Sequence, residues 1–591
     1  GSGGIMVVDH NLSLGNLYTS LKDQIGERIV AGREEIGENY AFEEQKINGK
    51  ITEETDGAVL LSEEQLKQKQ TYQTIFKGND SYSYEEIEKG ILPKLYKKGT
   101  KELLPNQEDI YLKEEGTLSL ESIEVEKTAV NEFQGQIALN NPKELPITNL
   151  TIEDIEVTIL SNQIQNQKTY LTIKGTPTRF YDSYPLSGVT YLENGEEKNQ
   201  KLEGKIELQF YKDLYTYEDW QTIEEGTYQN YRLMNDIDFS GKTDMKYDVT
   251  MAKLVSESGE KTLKNINITT DKDSSGFIKQ ITDELRNINF ENIEITNTKS
   301  SGNYTGVIAG NKGTIENISF NHIKIQAEDM SYVGCIGYSS SYIQNVRLYD
   351  IRCVGDGRVG GLVGTCSAVV SSVVADGVEV EGSVIVGGLA GRTGSWLRDV
   401  SFSNGSVRGQ NHTGGILGQG YVLRLEADHV EVEGRSYVGG IVGQANHLET
   451  TNQHYLKGNE LKVRGSGTYI GGLIGYGQYC EHNEITNSTV EGTTQNSYYV
   501  GGIMGFMAGN SGSYSKAENV KVISKASYVG GLTGYTAGEL NYSYVDQSYV
   551  EGDSYVGGMF GRFSNTYRKN LYVNAEVVAT NHSAGGMIGY L

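Results

Sequence analysis

Few residues in this chain have the types and spacing that metal binding or redox chemistry requires. Its four cysteines are irregularly spaced and form no Cys-x-x-Cys pair; they are Cys335, Cys353, Cys366 and Cys480. We predict that they are small buried residues rather than metal ligands or a disulfide framework. Asp236 and Asp238 alternate along one predicted strand, and no third ligand follows at loop spacing. We therefore expect these two carboxylates to face solvent.

An enzyme that cleaves carbohydrate would need a different set of residues. Hydrolysis requires two carboxylates at a set separation, and elimination requires a lysine or arginine base beside calcium held by aspartates. No position of the repeat described below collects aspartate, lysine and arginine together. The sequence therefore predicts no catalytic residue, metal site or cofactor site in this chain. A polysaccharide-cleaving β-helix enzyme stays as an alternative, tested by activity on polysaccharides with and without calcium.

The composition limits the classes of partner. The chain has 591 residues, of which 37% are hydrophobic, 73 are glycine and 40 are tyrosine, and its net charge is −25. A charge of this sign repels polyphosphate and anionic lipid, so nucleic acid and membrane surfaces are not expected partners. No run of about 18 apolar residues is present to span a bilayer. The length exceeds that of one core, which predicts several domains or a repeat array.

An internal repeat indicates the architecture. Its clearest form is Tyr-Val-Gly-Gly-Leu-Val-Gly, and eleven copies follow one another at intervals of 25 to 32 residues. The first glycines of the copies are Gly306, Gly334, Gly360, Gly387, Gly414, Gly439, Gly471, Gly501, Gly530, Gly557 and Gly585. Periods of about 20 to 50 residues are typical of solenoids.

The segments between the copies predict strands. Val378-Glu379-Val380-Glu381 alternates apolar and polar residues with period two, which is typical of a half-buried strand. All six prolines lie at or before Pro185, so no later position lacks a backbone donor for strand pairing. We therefore predict an all-β chain dominated by a right-handed parallel β-helix, whose coils stack at about 4.8 Å.

Two residue types of the motif have predicted structural roles. The glycines are expected at corners, where the backbone needs a positive φ or another chain segment approaches closely. Seven copies carry a tyrosine two residues before the first glycine, and we expect the rings to stack as a ladder. These are Tyr304, Tyr332, Tyr437, Tyr469, Tyr499, Tyr528 and Tyr555. A carbohydrate-binding platform is the alternative role for this stripe.

Other domains are predicted ahead of the repeat. Residues 106–213 have strands about every ten residues between turn sequences, which is typical of a small, immunoglobulin-like β-sandwich. Residues 214–275 are predicted to form a cap and the first irregular coils, with a short amphipathic helix from Tyr217, because a solenoid must cover its terminal apolar cross-section. The β-helix is predicted over residues 276–591 and is expected to be truncated at its C-terminus.

Two long intervals indicate a binding surface. The intervals from Gly439 to Gly471 and from Gly471 to Gly501 carry extra residues, and insertions in solenoids project loops from one face, often the binding face. The candidate partner-binding residues in these intervals are His447, His454, Tyr455, Tyr479 and His482. An insertion that is tolerated without any ligand is the alternative.

The repeat resembles the GLUG repeat of bacterial cell-surface proteins, which occurs in the non-catalytic region of the immunoglobulin A1-protease family of Gram-positive zinc metallopeptidases. Residues 227–241 resemble the lead-in to such repeats. Residues 38–41, 46–50 and 90–95, with a helix from Ser62, resemble the tail that closes a GLUG solenoid, so residues 1–105 would end a preceding β-helix. The family's His-Glu-x-x-His signature is absent, so zinc would belong to a separate catalytic domain.

The resemblance implies a secreted or cell-surface scaffold that is not itself an enzyme. Such a region would position or bind a host glycoprotein, such as immunoglobulin or mucin, in adhesion and virulence. Because the repeat also occurs in other surface proteins, an adhesin or a spacer with no protease partner is the alternative. We interpret the chain as a monomeric fragment of a longer protein, and its opening Gly-Ser-Gly-Gly as a cloning remnant.

Overall fold

The structure is a computed structural model that describes residues 118–447, 455–564 and 568–591, together with short segments before residue 118. The segments before residue 118 are the strands Leu12–Ser13, Asn39–Phe42, Lys46–Ile47, Lys50–Ile51, Ala58–Leu61, Tyr82–Ser83 and Lys94–Leu95 and the helices Glu63–Leu66 and Lys69–Ile75. The helix predicted from Ser62 therefore begins at Glu63. Most of the predicted end of a preceding β-helix, residues 1–105, lies outside the described residues.

The chain divides into two compact units. The first comprises residues 1–128, 132–176 and 185–206. The second comprises residues 129–131, 177–184 and 207–591. The second unit thus includes short segments of the region 106–213 in which the sandwich was predicted.

From residue 118 onward the described part of the first unit contains two four-stranded antiparallel sheets. One sheet is built from Ser119–Ala129, Glu132–Asn140, Ile155–Gln165 and Lys168–Pro177, and the other from Ile147–Ile152, Tyr184–Glu193, Glu196–Gln200 and Gly204–Ile206. Burial alternates along the strands, as in Lys168–Pro177, where Leu171 and Ile173 are buried and Tyr170 and Thr172 are partly exposed. Each sheet therefore has an apolar face and a solvated face.

A short helix and aromatic side chains begin the second unit. The helix Tyr217–Gln221 has a capping box, in which the Thr216 hydroxyl accepts a hydrogen bond from the Asp219 backbone and the Asp219 carboxylate accepts one from the Thr216 backbone. Trp220 is fully buried, and its ring stacks on Phe277 with 4.5 Å between centroids. This is the capping helix that the sequence predicts, and it supplies the core of the first coils with a large apolar side chain.

From Lys212 onward the strands of the described residues form one 38-stranded sheet that is wound into a parallel solenoid. Its strands are Lys212–Leu214, Asn230–Leu233, Ile237–Asp238, Val249–Val255, Lys261–Thr270, Ser274–Asn297, Gly302–Asn311, Thr314–Ala327, Met330–Val333, Ile336–Ser339, Ile343–Gly355, Arg358–Gly360, Val363–Cys366, Val370–Glu381, Ile385–Gly387, Ala390–Arg408, Asn411–Gly414, Leu417–Gly434, Ser436–Gly439, Val442–His447, Leu456–Asn459, Lys462–Gly465, Ile470–Gly471, Ile474–Glu481, Glu484–Thr486, Thr489–Gly492, Val500–Gly501, Met504–Ser513, Lys516–Glu518, Lys521–Ser524, Val529–Gly530, Thr533–Thr536, Glu539–Asn541, Tyr544–Gly557, Phe560–Phe563, Arg568–Lys569, Tyr572–Gly585 and Ile588–Tyr590. Each coil pairs in parallel with the next, which confirms the predicted β-helix.

Apolar side chains at matching register positions of successive coils form the core of the solenoid. Ile323, Ile351 and Val378 pair in successive coils, and all three are buried. Three of the cysteines are buried as free thiols, and burial raises the pKa of Cys366 to about 11. A stack of such positions makes one continuous core along the coils.

The regular coils turn at corners where the backbone φ is positive. The first corner is formed by Asn287, Asn317, Asn345, Ser372, Asp399, Arg424, His482, Tyr514, Tyr542 and Asn570. The second corner is formed by Asn265, Asn292, His322, Asp350, Gly377, Asn404, His429, Glu460, Asn487, Asn519 and Gln547. The third corner is formed by His412, Tyr437, Tyr469, Tyr499, Tyr528, Tyr555 and Ser583. Asparagine, aspartate and histidine are common there because they tolerate the left-handed region.

The motif glycines do not supply this positive φ, so of the two reasons predicted for glycine only close approach of another chain segment applies. At the third corner the left-handed residue is the tyrosine two positions before the first glycine, as at Tyr469 with φ 66° and Tyr499 with φ 61°. The glycines permit close backbone approach instead, since a Cβ on Gly361 would lie 2.5 Å from the carbonyl oxygen of Gly388 in the next coil. The hydrogen-bond ladder can therefore continue through the motif, where the Gly361 N–H donates to the Gly388 carbonyl at 3.0 Å.

Candidate functional site

Four side chains form an apolar strip on the face that precedes the first corner. We term them the aromatic strip: Tyr342, Val369, Trp396 and Tyr421. Ile343, Val370 and Leu397, which follow Tyr342, Val369 and Trp396, pair with one another in successive coils, and Trp396 pairs with Tyr421. The four residues of the strip therefore occupy one register position. Tyr342 is 58% exposed, and the other three are half-buried. At about 4.8 Å per coil, the strip is about 14 Å long.

The local sequence directs these side chains outward. Trp396 is followed by the buried Leu397 and the exposed Arg398, so the period of two places the indole on the outer face of the strand. The rings of Trp396 and Tyr421 have centroids 5.6 Å apart and planes at 63° to each other. The two rings therefore pack edge to face rather than as parallel plates.

A charged pair borders the strip at the first corner. Arg424 donates to Asp399 through two hydrogen bonds, Nε to Oδ1 at 2.5 Å and Nη2 to Oδ2 at 2.9 Å. The hydrogen bonds that Arg424 donates to Asp399 raise the pKa of the guanidinium above its ordinary value. A bidentate pair of this kind holds its polar groups in a fixed orientation, and each partner stands three residues after a residue of the strip.

Tyr455, one of the predicted partner-binding residues, continues this border. It lies one coil beyond Arg424, because Leu425 pairs with Leu456. Its ring is half-buried and lies 4.8 Å from the Lys457 Nζ. Burial, and then the neighbouring Glu426, raise the pKa of Tyr455. The hydroxyl is therefore a protonated group near the end of the strip at neutral pH.

The strand Val442–His447 ends next to the strip, because His447 pairs in register with Tyr421. In the sequence, the extra residues of the first long interval follow this strand and precede the strand Leu456–Asn459. His454 lies outside the described residues, as do the side chains of His447 and Tyr479. The structure thus brings the backbone of His447 to the strip, with Tyr455 near its border, and gives no placement for His454.

The second long interval carries its extra residues after Gly492, away from Tyr479 and His482. Tyr479 lies within the strand Ile474–Glu481, and His482 is a first-corner residue with φ 50°. The extra residues instead precede Tyr499: six residues separate Gly492 from Tyr499, whereas three separate the paired Gly465 from Tyr469. The prediction that Tyr479 and His482 belong to an inserted loop is therefore wrong, because glycine-to-glycine intervals do not show which corner receives an insertion.

His482 begins an exposed stack of rings at the first corner, which we term the corner stack. Its ring lies 4.9 Å from that of Tyr514 at 16°, and Tyr514 lies 5.0 Å from Tyr542 at 6°. Tyr514 is 54% exposed and Tyr542 is 48% exposed. This stack lies at a different corner from the tyrosine ladder and shares no residue with it.

The predicted stacking of tyrosines is confirmed from Tyr469 to Tyr555 at the third corner and for the pair Tyr304 and Tyr332, whereas Tyr437 is tilted by 46° against Tyr469. The rings of Tyr469, Tyr499, Tyr528 and Tyr555 follow one another at centroid distances of 5.8, 5.3 and 5.1 Å, with planes within 16° of parallel. Phe506 packs edge-on against both Tyr469 and Tyr499. Neighbouring rings cover one another's faces in such a stack, so the geometry favours the structural role over a carbohydrate platform.

Charged side chains on the face after the second corner pair between coils. Lys462 lies 2.5 Å from Glu431, Arg464 lies 3.2 Å from Glu491, and Arg352 lies 2.7 Å from Glu379. Such pairs neutralise one another along the stack. Within the described ranges, no group of three or more histidine, cysteine, aspartate or glutamate side chains is placed to hold a metal ion.

Sequence reasoning missed the aromatic strip. Its signal is present but weak: the strip residue stands three positions before the first-corner residue, as in Tyr342 before Asn345 and Trp396 before Asp399. Val369 interrupts the aromatic pattern, and the corner residues differ from coil to coil. The strip becomes visible only when the register between coils is known.

Comparison with known proteins does not assign this chain to a family. The chain matches no protein family, and a search of curated proteins finds no match. No helix in the described part of the chain is long and apolar enough to cross a membrane.

Proposed function

We propose that this chain is a non-catalytic recognition region of a secreted or cell-surface bacterial protein, and that it binds a host glycoprotein through the aromatic strip. The strip carries the proposal because Tyr342 is a large, strongly exposed ring in line with a half-buried tryptophan and tyrosine. Surfaces that combine aromatic rings with a few oriented polar groups are typical of binding sites.

The scaffold beneath the strip supports tight recognition. Each strip residue is followed by a buried core residue in a paired strand, as with Trp396 and Leu397. The backbone beneath the strip is therefore already ordered, so binding costs little backbone conformational entropy. The rings offer area for the apolar faces of sugar rings, and the Asp399–Arg424 pair offers donors and acceptors for hydroxyl groups.

The proposal for the parent protein rests on the resemblance of the repeat. A GLUG-like array supports a bacterial surface protein, and the immunoglobulin A1-protease family supports a zinc metallopeptidase whose catalytic domain lies elsewhere. The full-length reading frame tests this part. A downstream His-Glu-x-x-His motif would support the protease, and a wall-anchoring signal without that motif would support an adhesin.

Binding to immobilised mucin and immunoglobulin A1 tests the strip directly. We expect Tyr342→Ala and Trp396→Ala each to weaken binding about tenfold or more, as removal of a central aromatic contact commonly does. Tyr349→Ala is the matched control, because Tyr349 is 51% exposed but stands beside the second-corner residue Asp350. Circular dichroism of each variant verifies that the fold is retained.

Two further comparisons separate the alternatives. Enzymatic removal of the glycans should abolish binding if sugars are recognised, while retained binding would point to the polypeptide. Tyr455→Ala and Tyr479→Ala test the residues of the long intervals, and unchanged binding would remove them from the site. A wild-type chain that binds neither glycoprotein would contradict the proposal and favour a spacer.

A further inference from the structure

Tyr514 and Tyr542 in the corner stack are held face to face in an exposed position. Their ring centroids are 5.0 Å apart, their planes differ by 6°, and about half of each residue is open to solvent. Within this stack both phenol rings are accessible to an oxidant. The two rings are separated by a single coil spacing, so neither has to cross the surface to reach the other.

The backbone keeps the two rings in register. Both residues have a left-handed backbone, with φ 56° at Tyr514 and 50° at Tyr542. The Tyr514 N–H donates to the carbonyl oxygen of Asn541 at 3.1 Å, and the preceding residues Ser513 and Asn541 are paired. His482 stacks on Tyr514 from the preceding coil. Tyr514 is therefore held between two rings, with Tyr542 as its phenol neighbour.

We infer that Tyr514 and Tyr542 form a site of oxidative tyrosine cross-linking that staples two successive coils. The oxidant is hydrogen peroxide acting through a haem peroxidase. Each phenol loses one electron and its phenolic proton, and the two phenoxyl radicals join through a carbon–carbon bond between their ortho carbons. The hydrogen on each of those carbons then moves to the oxygen of the same ring, which restores both phenols. In total two electrons and two protons pass to peroxide, which becomes two water molecules.

Exposure distinguishes this pair from the ladder at the third corner. Tyr499 and Tyr528 are also stacked, with centroids 5.3 Å apart, but both are half-buried. Phe506 also packs edge-on against Tyr499, which restricts the twist that coupling requires. The pair at the first corner lies at an exposed turn and meets fewer such restraints among the described ring contacts. We therefore expect the corner stack to couple first.

The test is treatment of the intact chain with limiting peroxide and a haem peroxidase, followed by proteolysis and tandem mass spectrometry. The expected product is a peptide pair joined through Tyr514 and Tyr542 that has lost two hydrogen atoms, with dityrosine fluorescence in monomeric protein. Tyr542→Phe keeps a stacking ring and should abolish this product. Tyr528→Phe is the control and should leave it unchanged.

The cross-linked monomer should also unfold at a higher temperature than the untreated chain, because the new bond closes the loop between the two tyrosines. This rise should be absent in Tyr542→Phe treated in the same way. Cross-links that join separate chains, or that map mainly to Tyr499 and Tyr528, would overturn the assignment. So would an unmodified Tyr514–Tyr542 pair in protein whose other exposed tyrosines are oxidised.

Discussion

Gly505 lies against the backbone of Tyr469, one coil before it. A Cβ on Gly505 would lie 2.6 Å from the carbonyl carbon of Tyr469 and 2.5 Å from the backbone nitrogen of Ile470. Tyr469 has a left-handed backbone, so the corner and the glycine beneath it are parts of one arrangement. The tyrosine and the last glycine of the motif are thus linked through space, between one copy and the next.

Two glycines of the motif provide a matched test of close approach. A Cβ on Gly558 would overlap the carbonyl oxygen of Gly586, whereas a Cβ on Gly310 would lie 3.6 Å from its nearest neighbour, the carbonyl oxygen of Lys279. We expect Gly558→Ala to lower the free energy of unfolding by about 1 to 3 kcal/mol, as overpacking commonly does. Gly310→Ala should have a much smaller effect in urea unfolding, because the added methyl group makes only an ordinary contact. Equal losses would show that close approach is not the reason for glycine.

At the third-corner tyrosines a glycine variant should be more stable than an alanine variant, which is the reverse of the usual order in a strand. Both substitutions at Tyr499 remove the ring, but only glycine adopts the left-handed region without a steric cost. We expect Tyr499→Gly to be more stable than Tyr499→Ala by about 1 kcal/mol in urea unfolding.

Tyr332 is the control for this comparison. It occupies the same motif position in the strand Met330–Val333 and has no positive φ. There the alanine variant should be the more stable one, because glycine weakens a strand. The same order of stability at both positions would contradict the corner geometry.

His429 should make part of the stability depend on pH. Its Nδ1 lies 2.8 Å from Asp428 and its Nε2 lies 2.7 Å from Glu460 of the next coil, and these contacts, Asp428 first, raise its pKa. A raised pKa means that the protonated ring is favoured in the folded state. Its contribution is therefore present below the unfolded pKa of about 6.5 and is lost as pH rises through the folded pKa.

His429→Asn removes the titrating ring but keeps the corner, because asparagine also suits a left-handed backbone. The variant therefore isolates the pH-dependent contribution of His429 to stability. We expect the difference in thermal midpoint between wild type and variant to be largest near pH 6 and to shrink toward about pH 8. Measurement across this range checks the sign. A difference that grows with pH would contradict the contact.

The coils could be predicted from the sequence because their signal is local and repeated. Val378-Glu379-Val380-Glu381 alternates in the sequence, and the structure places Val378 and Val380 in the core with Glu379 outside. The short helix at Tyr217 was also visible, since a solenoid needs a cap. The corners were harder, because the left-handed residue at Tyr469 is not the residue type that usually marks a positive φ.

The candidate site could not be predicted in the same way. Tyr342 and Trp396 are far apart in the sequence, and their alignment depends on the register of three coils. Interval length alone predicts the histidines and tyrosines of the long intervals, and it counts residues without locating them. In the structure Tyr455 lies one coil beyond Arg424, whereas Tyr479 lies within the strand Ile474–Glu481.

Distances between spin labels test the stacked solenoid most directly. Lys324, Arg352, Glu379 and Lys521 occupy one register position, with Glu379 five coils and Lys324 seven coils before Lys521. Labels at cysteines replacing Glu379 and Lys521 should be about 24 Å apart, and those at Lys324 and Lys521 about 34 Å apart, before allowance for the label arms. A steady increase of about 4.8 Å per coil across these pairs is the predicted result. Distances that do not increase with the number of intervening coils would contradict the account.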